Sequence, residues 1–186
     1  MTGYEVLLIG GRSGVGKTTV GWEVSELLRA ADVDHCVVDG DYLGHVSPPP
    51  ATDPHRSAIT ERNLRAVWAN FAALGQRRLI YTNTVSVLEA DMVCRAMGGG
   101  PSPSAPAVPT RAVRVLLTAT DTTAGARLGL RESGSGLAAH IERSARAARR
   151  LAREAPADTV TVATDGKSVL DVAREVVAAT GWRTGT

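Results

Sequence analysis

Lysine and aromatic residues are both scarce in this chain of 186 residues. Aromatic side chains make up 4% of the sequence, too few to form the stacking platforms that bind single-stranded nucleic acids. The formal net charge is +2 at pH 7, a mild excess that does not by itself indicate a nucleic-acid partner. We therefore expect no such partner. Basic residues are almost all arginine, and the two lysines of the sequence are Lys17 and Lys167.

Cysteine is rare as well, and long apolar runs are missing. Cys36 and Cys94 lie far apart in the sequence and lack metal-ligand spacing, which favours two reduced structural thiols. No apolar run approaches the length of about 18 residues that a membrane helix needs, and no signal peptide is evident. We therefore expect a cytoplasmic protein without a membrane partner, folded as a single domain over residues 1–186.

Lys17 lies in a glycine-rich segment between a strand-like apolar run and a helix-like pattern. Residues 11–18 match G-x-x-x-x-G-K-[ST], the phosphate-binding loop (P-loop), in the strand-to-helix context that this motif requires. The glycines let backbone N–H groups converge on a phosphate, and the helix dipole adds positive charge. Lys17 would reach the β and γ phosphates, and the Thr18 hydroxyl would ligate Mg²⁺. The residues predicted to bind the nucleotide phosphates are Gly11, Arg12, Ser13, Gly14, Val15, Gly16, Lys17, Thr18 and Thr19.

Strand-like and helix-like segments alternate along the chain. Short apolar runs predict strands over residues 4–9, 34–39, 78–83, 112–118 and 159–163. Helical spacing predicts helices over residues 16–31, 58–74, 85–97, 120–128, 137–154 and 168–180. We expect the third helix to begin with Thr84 or Ser86 as its cap. This order predicts an α/β fold, a five-stranded parallel sheet with helices on both faces.

Two stretches interrupt the pattern. Residues 98–109, GGGPSPSAPAVP, predict a flexible surface insertion. Residues 131–136, RESGSG, predict a mobile polar connection. Arg127 and Arg131 are positioned to make residues 127–136 a short lid, which would close over a triphosphate and stabilise transition-state charge.

Polar side chains also follow the second predicted strand. In a parallel sheet, ligands bind beyond the carboxyl ends of the strands, where Asp39 and Asp41 lie. One of the two would accept a proton from a substrate hydroxyl and the other would hold Mg²⁺, and the sequence leaves open which does which. Arg62 and Arg65, near the start of the second helix, would bind an anionic acceptor together with Asp41. The candidate catalytic residues are Lys17, Asp39, Asp41 and Arg131, and the candidate metal ligands are Thr18 and Asp39.

The segment GRSGVGKTT after a first strand resembles the small P-loop kinases, among them adenylylsulfate, gluconate and shikimate kinases and chloramphenicol phosphotransferase. Asp39-Gly40-Asp41 is similar to the Asp-Gly-Asp of adenylylsulfate kinases, and residues 61–65, ERNLR, resemble the Glu-Asn-x-Arg-Arg stretch that follows there. Residues 164–168, TDGKS, look like the loop that packs on adenine, which implies nucleotide contacts for Asp165 and Gly166. The resemblance implies the P-loop nucleoside triphosphate hydrolase fold of kinases, with ATP and Mg²⁺ as cofactors.

The sequence also departs from adenylylsulfate kinases. The third strand ends in Tyr81-Thr82-Asn83 instead of Ser-Pro-Tyr, the lysine-rich lid motif is missing, and the insertion at 98–109 is not shared. The acceptor therefore stays unidentified.

From these features we expect an ATP-dependent phosphotransferase that moves the γ-phosphate of Mg-ATP to a small-molecule alcohol or oxyanion. Two alternatives remain open: a nucleotide kinase, and an ATP-binding protein or ATPase that acts on a partner without being a kinase. The Asn-Lys-x-Asp motif with which GTPase switches read the base does not occur in the sequence. We expect a monomer or a homodimer.

Overall fold

The computed structural model of the chain describes residues 3–99, 107–131, 134 and 136–182. Within these residues the strands are β1 (Tyr4–Gly10), β2 (Cys36–Asp39), β3 (Arg78–Thr82), β4 (Thr110–Thr118) and β5 (Val160–Ala163). The α-helices are α1 (Lys17–Ala30), α2 (Ser57–Ala73), α3 (Ala90–Gly98), α4 (Asp121–Arg131), α5 (Leu137–Glu154) and α6 (Val169–Thr180). Every predicted strand and helix is therefore present, most with ends shifted by a few residues.

The strands form one parallel sheet in the order β2-β3-β1-β4-β5. The central strand β1 has a continuous apolar run because helices cover both faces of the sheet. Leu7 and Ile9 share one buried core with α1 and α6, whereas Val6 and Leu8 share the other with α2 and α3. This alternation confirms the predicted parallel sheet with helices on both faces. Because all five strands are parallel, their carboxyl ends lie at one edge of the sheet, where the loop after β1 begins.

The arginine-rich helix α5 packs on the sheet through a narrow contact. Leu151 of α5 is buried against Leu116 of β4 and Val87 in a third small core. The bounds of α5 agree with the predicted range of 137–154. The helix lies close to β4, and this position brings its middle turns near the phosphate-binding loop.

The predicted start of the third helix is wrong. The sequence placed it at residue 85 with Thr84 or Ser86 as cap, but α3 begins at Ala90 after a short 3-10 turn over Ser86–Leu88. Asn83 explains the difference, because its side chain accepts a hydrogen bond of 2.9 Å from the Val85 backbone N–H. Such an Asx turn gives the backbone a local alternative to the helix.

Two predicted loop segments fall partly outside the described residues. Arg131, where the predicted connection starts, is part of α4, and residues 132, 133 and 135 of that connection are not described. Of the insertion at 98–109, residues 100–106 are likewise not described. Its two ends meet, because the Val108 N–H donates to the Gly98 carbonyl at 2.9 Å.

Two expectations from composition can be compared with the described residues. Cys36 and Cys94 are free thiols, and burial raises the pKa of Cys36 to about 12, which makes it a poor nucleophile. In the described part of the chain, no helix combines the length and the apolar character that crossing a membrane would require.

Candidate active site

The loop between β1 and α1 has the backbone that phosphate binding requires. Gly11, Gly14 and Gly16 all have positive φ angles, of 145°, 89° and 94°, which side chains rarely tolerate. A Cβ at Gly11 would lie 2.6 Å from the Leu117 carbonyl oxygen, so this side of the loop is packed tightly against β4. A Cβ at Gly16 would meet nothing within 4 Å in the described structure. The loop is therefore packed against β4 at Gly11, whereas its surface at Gly16 is open.

The start of α1 supplies an uncompensated positive end. Within the described residues, no side chain caps its N-terminus and its first turn contains no acidic residue. The first backbone N–H groups of a helix have no partner inside the helix, and with the helix dipole they favour a bound anion. Phosphate binding at Gly16, Lys17 and Thr18 stays a prediction that this geometry supports.

Lys17 is buried at the base of the loop, with 8% of its surface exposed. Its Nζ lies 3.5 Å from the Arg12 carbonyl oxygen. Burial lowers the pKa of Lys17, and the nearby positive charge of Arg131 adds to this effect. Asp41 and Asp39 act in the opposite direction and favour the charged ammonium. Arg131, Asp39 and Asp41 thus lie close enough to Lys17 to affect its pKa.

Asp39 lies beside Thr18. The Thr18 hydroxyl donates a hydrogen bond of 3.0 Å to Asp39 Oδ2, and the Asp41 backbone N–H donates one of 3.1 Å to Asp39 Oδ1. A hydroxyl and a carboxylate oxygen side by side are hard ligands of the kind that Mg²⁺ prefers. This pair fits the predicted metal ligands.

Asp41 faces the same space from the end of β2. Burial raises the pKa of its carboxyl group, the positive charge of Lys17 lowers it, and Asp39 raises it further. The nearby Thr84 backbone N–H lowers the pKa as well. Asp41 therefore lies between the ends of β2 and β3, and its hydrogen bond to Asp39 is made by its backbone N–H.

A cleft of about 280 Å³ opens on the other side of the loop. Its walls include Gly14, Gly16, Arg127, Arg131, Thr164 and Ser168. Arg127 is fixed in this wall, because it donates hydrogen bonds of 3.0 Å to Thr164 Oγ1 and 3.3 Å to the Thr164 carbonyl oxygen. The cleft is continuous with the glycine-rich loop, because Gly14, Val15 and Gly16 line it.

Asp165 and Gly166 border this cleft but do not line it, whereas Thr164 and Lys167 on either side do. The Asp165 carboxylate accepts hydrogen bonds from the Thr120 backbone N–H at 3.1 Å and from the Thr120 hydroxyl at 2.8 Å. Its role in the structure is therefore to join the β5–α6 loop to the start of α4. Nucleotide contacts of these two residues stay predictions.

Arg12, predicted to bind the nucleotide, has its side chain turned away from the open face of the loop. Only 3% of its surface is exposed. Its Nε donates to Ser144 Oγ of α5 at 2.9 Å, and its Nη1 pairs with Asp121 at the start of α4. Ser144 in turn donates to the Ser13 carbonyl oxygen at 2.9 Å. Arg12 therefore anchors the loop through its side chain, and its backbone stays available to a phosphate.

Sequence reasoning missed Ser144. The signal was weak but present: a serine lies on the face of α5 that otherwise carries Ile141, Ala145, Ala148 and Leu151. A buried hydroxyl on an apolar face needs a partner. Here the partners come from the phosphate-binding loop.

The two arginines predicted to bind an acceptor lie on α2. Arg62 is exposed. Arg65 donates to Glu61 at 3.1 Å, and Glu61 also accepts from Arg95 of α3. A Cβ at Gly99 would lie 3.4 Å from Arg65 Nε, which puts this guanidinium beside the end of α3. Arg65 thus pairs with Glu61 beside the end of α3, and acceptor binding by both arginines stays a prediction.

The sheet order, the glycine-rich loop after its central strand and the helix that follows define the P-loop α/β fold of the kinase type. Three solved structures illustrate the similarity. A gluconokinase from Sinorhizobium meliloti 1021 is 17% identical, with a TM-score of 0.58 over 96% of this chain and 91% of that chain. The tunicamycin resistance protein of Deinococcus radiodurans is 18% identical, with a TM-score of 0.57 over 97% of each chain.

The third is the APS kinase of Mycobacterium tuberculosis, solved in complex with AMPPNP and APS. It is 18% identical, with a TM-score of 0.53 over 96% of this chain and 98% of that chain. No protein-family model and no curated protein matches the chain. At these identities the likeness establishes the fold, and it confirms at that level the resemblance to small P-loop kinases.

Proposed function

We propose that the chain is an ATP-dependent phosphotransferase, which moves the γ-phosphate of Mg-ATP to a hydroxyl or oxyanion of a small-molecule acceptor. The observation that carries the proposal is the grouping of Lys17, Thr18, Asp39 and Asp41 around one phosphate-binding loop. Phosphoryl transfer needs positioned phosphates, neutralised charge and an oriented nucleophile. These four side chains supply a group for each need.

Lys17 and the first N–H groups of α1 would bind the phosphates and balance their charge. Thr18 and Asp39 would hold Mg²⁺, which neutralises charge on the phosphate oxygens when it is bound. Arg131 would place a positive charge beside the transferred group, where negative charge develops in the transition state. The cleft beside Arg127 would take the nucleoside.

Asp41 would act on the acceptor. Its carboxylate lies near the Thr84 backbone N–H and near Lys17, and its raised pKa makes it a stronger base than a solvated aspartate. An acceptor hydroxyl next to Asp41 and opposite the phosphate-binding loop would pass its proton to this carboxylate as the oxygen attacks the γ-phosphate. The proton thus passes from the acceptor to Asp41, and the phosphoryl group passes from ATP to the acceptor oxygen. ADP is the leaving group, and Lys17 would offset part of its negative charge.

The test is a screen for acceptors with γ-labelled ATP. The panel contains sugar acids, polyols, nucleosides, nucleotides and hydroxylated antibiotics, and the readout is label on the acceptor. We expect one class to become labelled, and Lys17→Ala to reduce the rate by at least about a hundredfold, since it removes a transition-state charge.

The matched control is Arg111→Ala, which removes a cation at the opposite edge of the sheet, where Arg111 pairs with Glu5. It should leave the rate unchanged. If every compound stays unlabelled while ATP is still hydrolysed, the proposal fails and an ATPase is favoured. Labelling of nucleotides alone would instead identify a nucleotide kinase.

A further inference from the structure

Helix α4 connects the phosphate-binding loop with the cleft beside it. Its first residue, Asp121, pairs with Arg12 of the loop, and its last residue, Arg131, lines the cleft. The helix backbone also packs on the loop, because a Cβ at Gly14 would lie 2.6 Å from the Ala124 carbonyl oxygen. The direction of α4 therefore decides where the cation at its end lies relative to the loop.

The start of α4 is held by Asp165, which belongs to the loop after β5. The Asp165 carboxylate accepts hydrogen bonds from the Thr120 backbone N–H at 3.1 Å and from the Thr120 hydroxyl at 2.8 Å. The same hydroxyl accepts a hydrogen bond of 3.2 Å from the Thr123 backbone N–H and so caps the helix. Hydrogen bonds from Thr123 and Thr120 lower the pKa of Asp165, so its carboxylate is ionised at neutral pH and these are charge-assisted bonds.

Arg131 depends on the helix for its position. In the part of the chain that the structure describes, no hydrogen bond or ion pair holds its guanidinium, whereas Arg127 is bound to Thr164. The charge of Arg131 nevertheless lies near Lys17. The 11 residues of α4 span about 16 Å, so a change of about 4° in the direction of the helix would move Arg131 by about 1 Å.

We propose that Asp165 is a positioning residue of the nucleotide site, which holds the start of α4 through Thr120 and thereby keeps Arg131 beside Lys17 and the γ-phosphate of ATP. This role rests on the function proposed above. It differs from a direct contact of Asp165 with the nucleoside, because ATP and ADP would share such a contact. An effect through Arg131 would be largely confined to the γ-phosphate, which ADP lacks.

Calorimetric titration of the whole chain with Mg-ATP and, separately, with Mg-ADP tests the proposal without an acceptor. Asp165→Ala should weaken ATP binding at least about threefold more than ADP binding. Thr120→Val removes the hydroxyl and nearly keeps the shape, so it should change the ratio of the two affinities in the same direction. Asp165→Asn can still accept both hydrogen bonds and should keep most of the wild-type ratio.

Arg131→Ala reports whether Asp165 acts through this arginine. When Asp165→Ala is added to Arg131→Ala, it should no longer change the ratio of the two affinities, because the group that it positions is gone. Asp158→Ala is the matched control, since it removes a carboxylate two residues before β5, where Asp158 pairs with Arg114. It should leave the ratio unchanged.

Three results would overturn the proposal: folded Asp165→Ala weakens ATP and ADP binding equally, folded Asp165→Ala or Thr120→Val keeps the wild-type ratio, or the effect of Asp165→Ala persists without Arg131. The first of these would show a direct nucleoside contact. A wild type that binds neither nucleotide would overturn the proposed function together with this role. A wild type that binds ATP and transfers no phosphate would contradict the proposed function alone.

Discussion

The Thr18 hydroxyl donates a hydrogen bond of 3.0 Å to Asp39 Oδ2, whereas Asp41 is joined to Asp39 through its own backbone N–H. The two aspartates that the sequence could not distinguish therefore differ in position. Asp39 adjoins the hydroxyl that is the candidate Mg²⁺ ligand. Asp41 adjoins Lys17 and the end of β3. This difference supports the roles proposed above, metal binding for Asp39 and acceptor activation for Asp41, and makes them separately testable.

Replacing Asp39 or Asp41 by asparagine should change in two different ways how the transfer rate depends on Mg²⁺. Asp39→Asn weakens a metal ligand, so the transfer rate should fall and then recover in part as Mg²⁺ is raised. Asp41→Asn removes the proton acceptor, so the rate should fall by about 10²–10⁴-fold and stay low at saturating Mg²⁺. The measurement is the rate of phosphoryl transfer over a Mg²⁺ titration.

Asp34→Asn is the control, because it makes the same change at an exposed residue shortly before β2. It should behave like the wild type. Recovery of Asp41→Asn and not of Asp39→Asn would reverse the two assignments. Wild-type rates in both variants would remove both residues from the mechanism.

Ser144 should control nucleotide affinity from a distance. Ser144→Ala leaves Arg12 Nε and the Ser13 carbonyl without their partner in α5. Unpaired buried groups of this kind cost about 1–3 kcal/mol of stability. The less firmly held loop should also bind Mg-ATP several-fold more weakly, which calorimetric titration of the folded variant measures.

The matched control is Ser25→Ala in α1, which removes a hydrogen bond of 2.7 Å to His35 without touching the loop. It should lower stability and leave the affinity for Mg-ATP as it is. Equal affinities in the two variants would show that Ser144 stabilises the fold without positioning the loop.

Asp41 should make the protein less stable at neutral pH than its asparagine variant. Burial raises the pKa of Asp41 in the folded state above its ordinary value of 3.8. The folded state then holds the proton more tightly than the unfolded state, so stability is lost as pH rises from 3.8 through the raised pKa. Asparagine has nearly the same shape and does not ionise, so it avoids the cost of a buried charge.

Urea denaturation over a pH series measures this difference. Asp41→Asn and the wild type should converge in acid, and the variant should have the larger free energy of unfolding at neutral pH. The same series on Asp34→Asn, the equal change at an exposed position, is the control for the asparagine substitution itself. A wild type that is more stable than Asp41→Asn at neutral pH would mean that its attraction to Lys17 outweighs burial.

Local patterns in the sequence predicted the loop and the sheet, because both depend on neighbouring residues. A P-loop is a run of eight residues whose glycines allow the required backbone conformation, and short apolar runs identify the strands. The direction of the Arg12 side chain depends on Ser144 and Asp121, which lie 132 and 109 residues further along. No local pattern contains that information. Arg65 is a similar case, since the pairing of Glu61 with both Arg65 and Arg95 follows from the packing of α2 on α3.

Gly40 should tolerate no side chain, although its φ angle is ordinary. A Cβ at this position would lie 2.2 Å from Tyr81 Oη, and Tyr81 is fully buried in the core. Gly40→Ala must therefore displace the turn that carries Asp39 and Asp41. We expect a loss of about 1–3 kcal/mol in the free energy of unfolding, as for other overpacked cores, and a lower transfer rate.

Gly125→Ala makes the same exchange in the interior of α4, where a Cβ would meet nothing within 4 Å of the described structure. Alanine loses less backbone freedom on folding than glycine, so this variant should gain about 0.5–1 kcal/mol. Denaturant unfolding of both variants checks the opposite signs. If Gly40→Ala is as stable as the wild type, the turn is free to shift away from Tyr81.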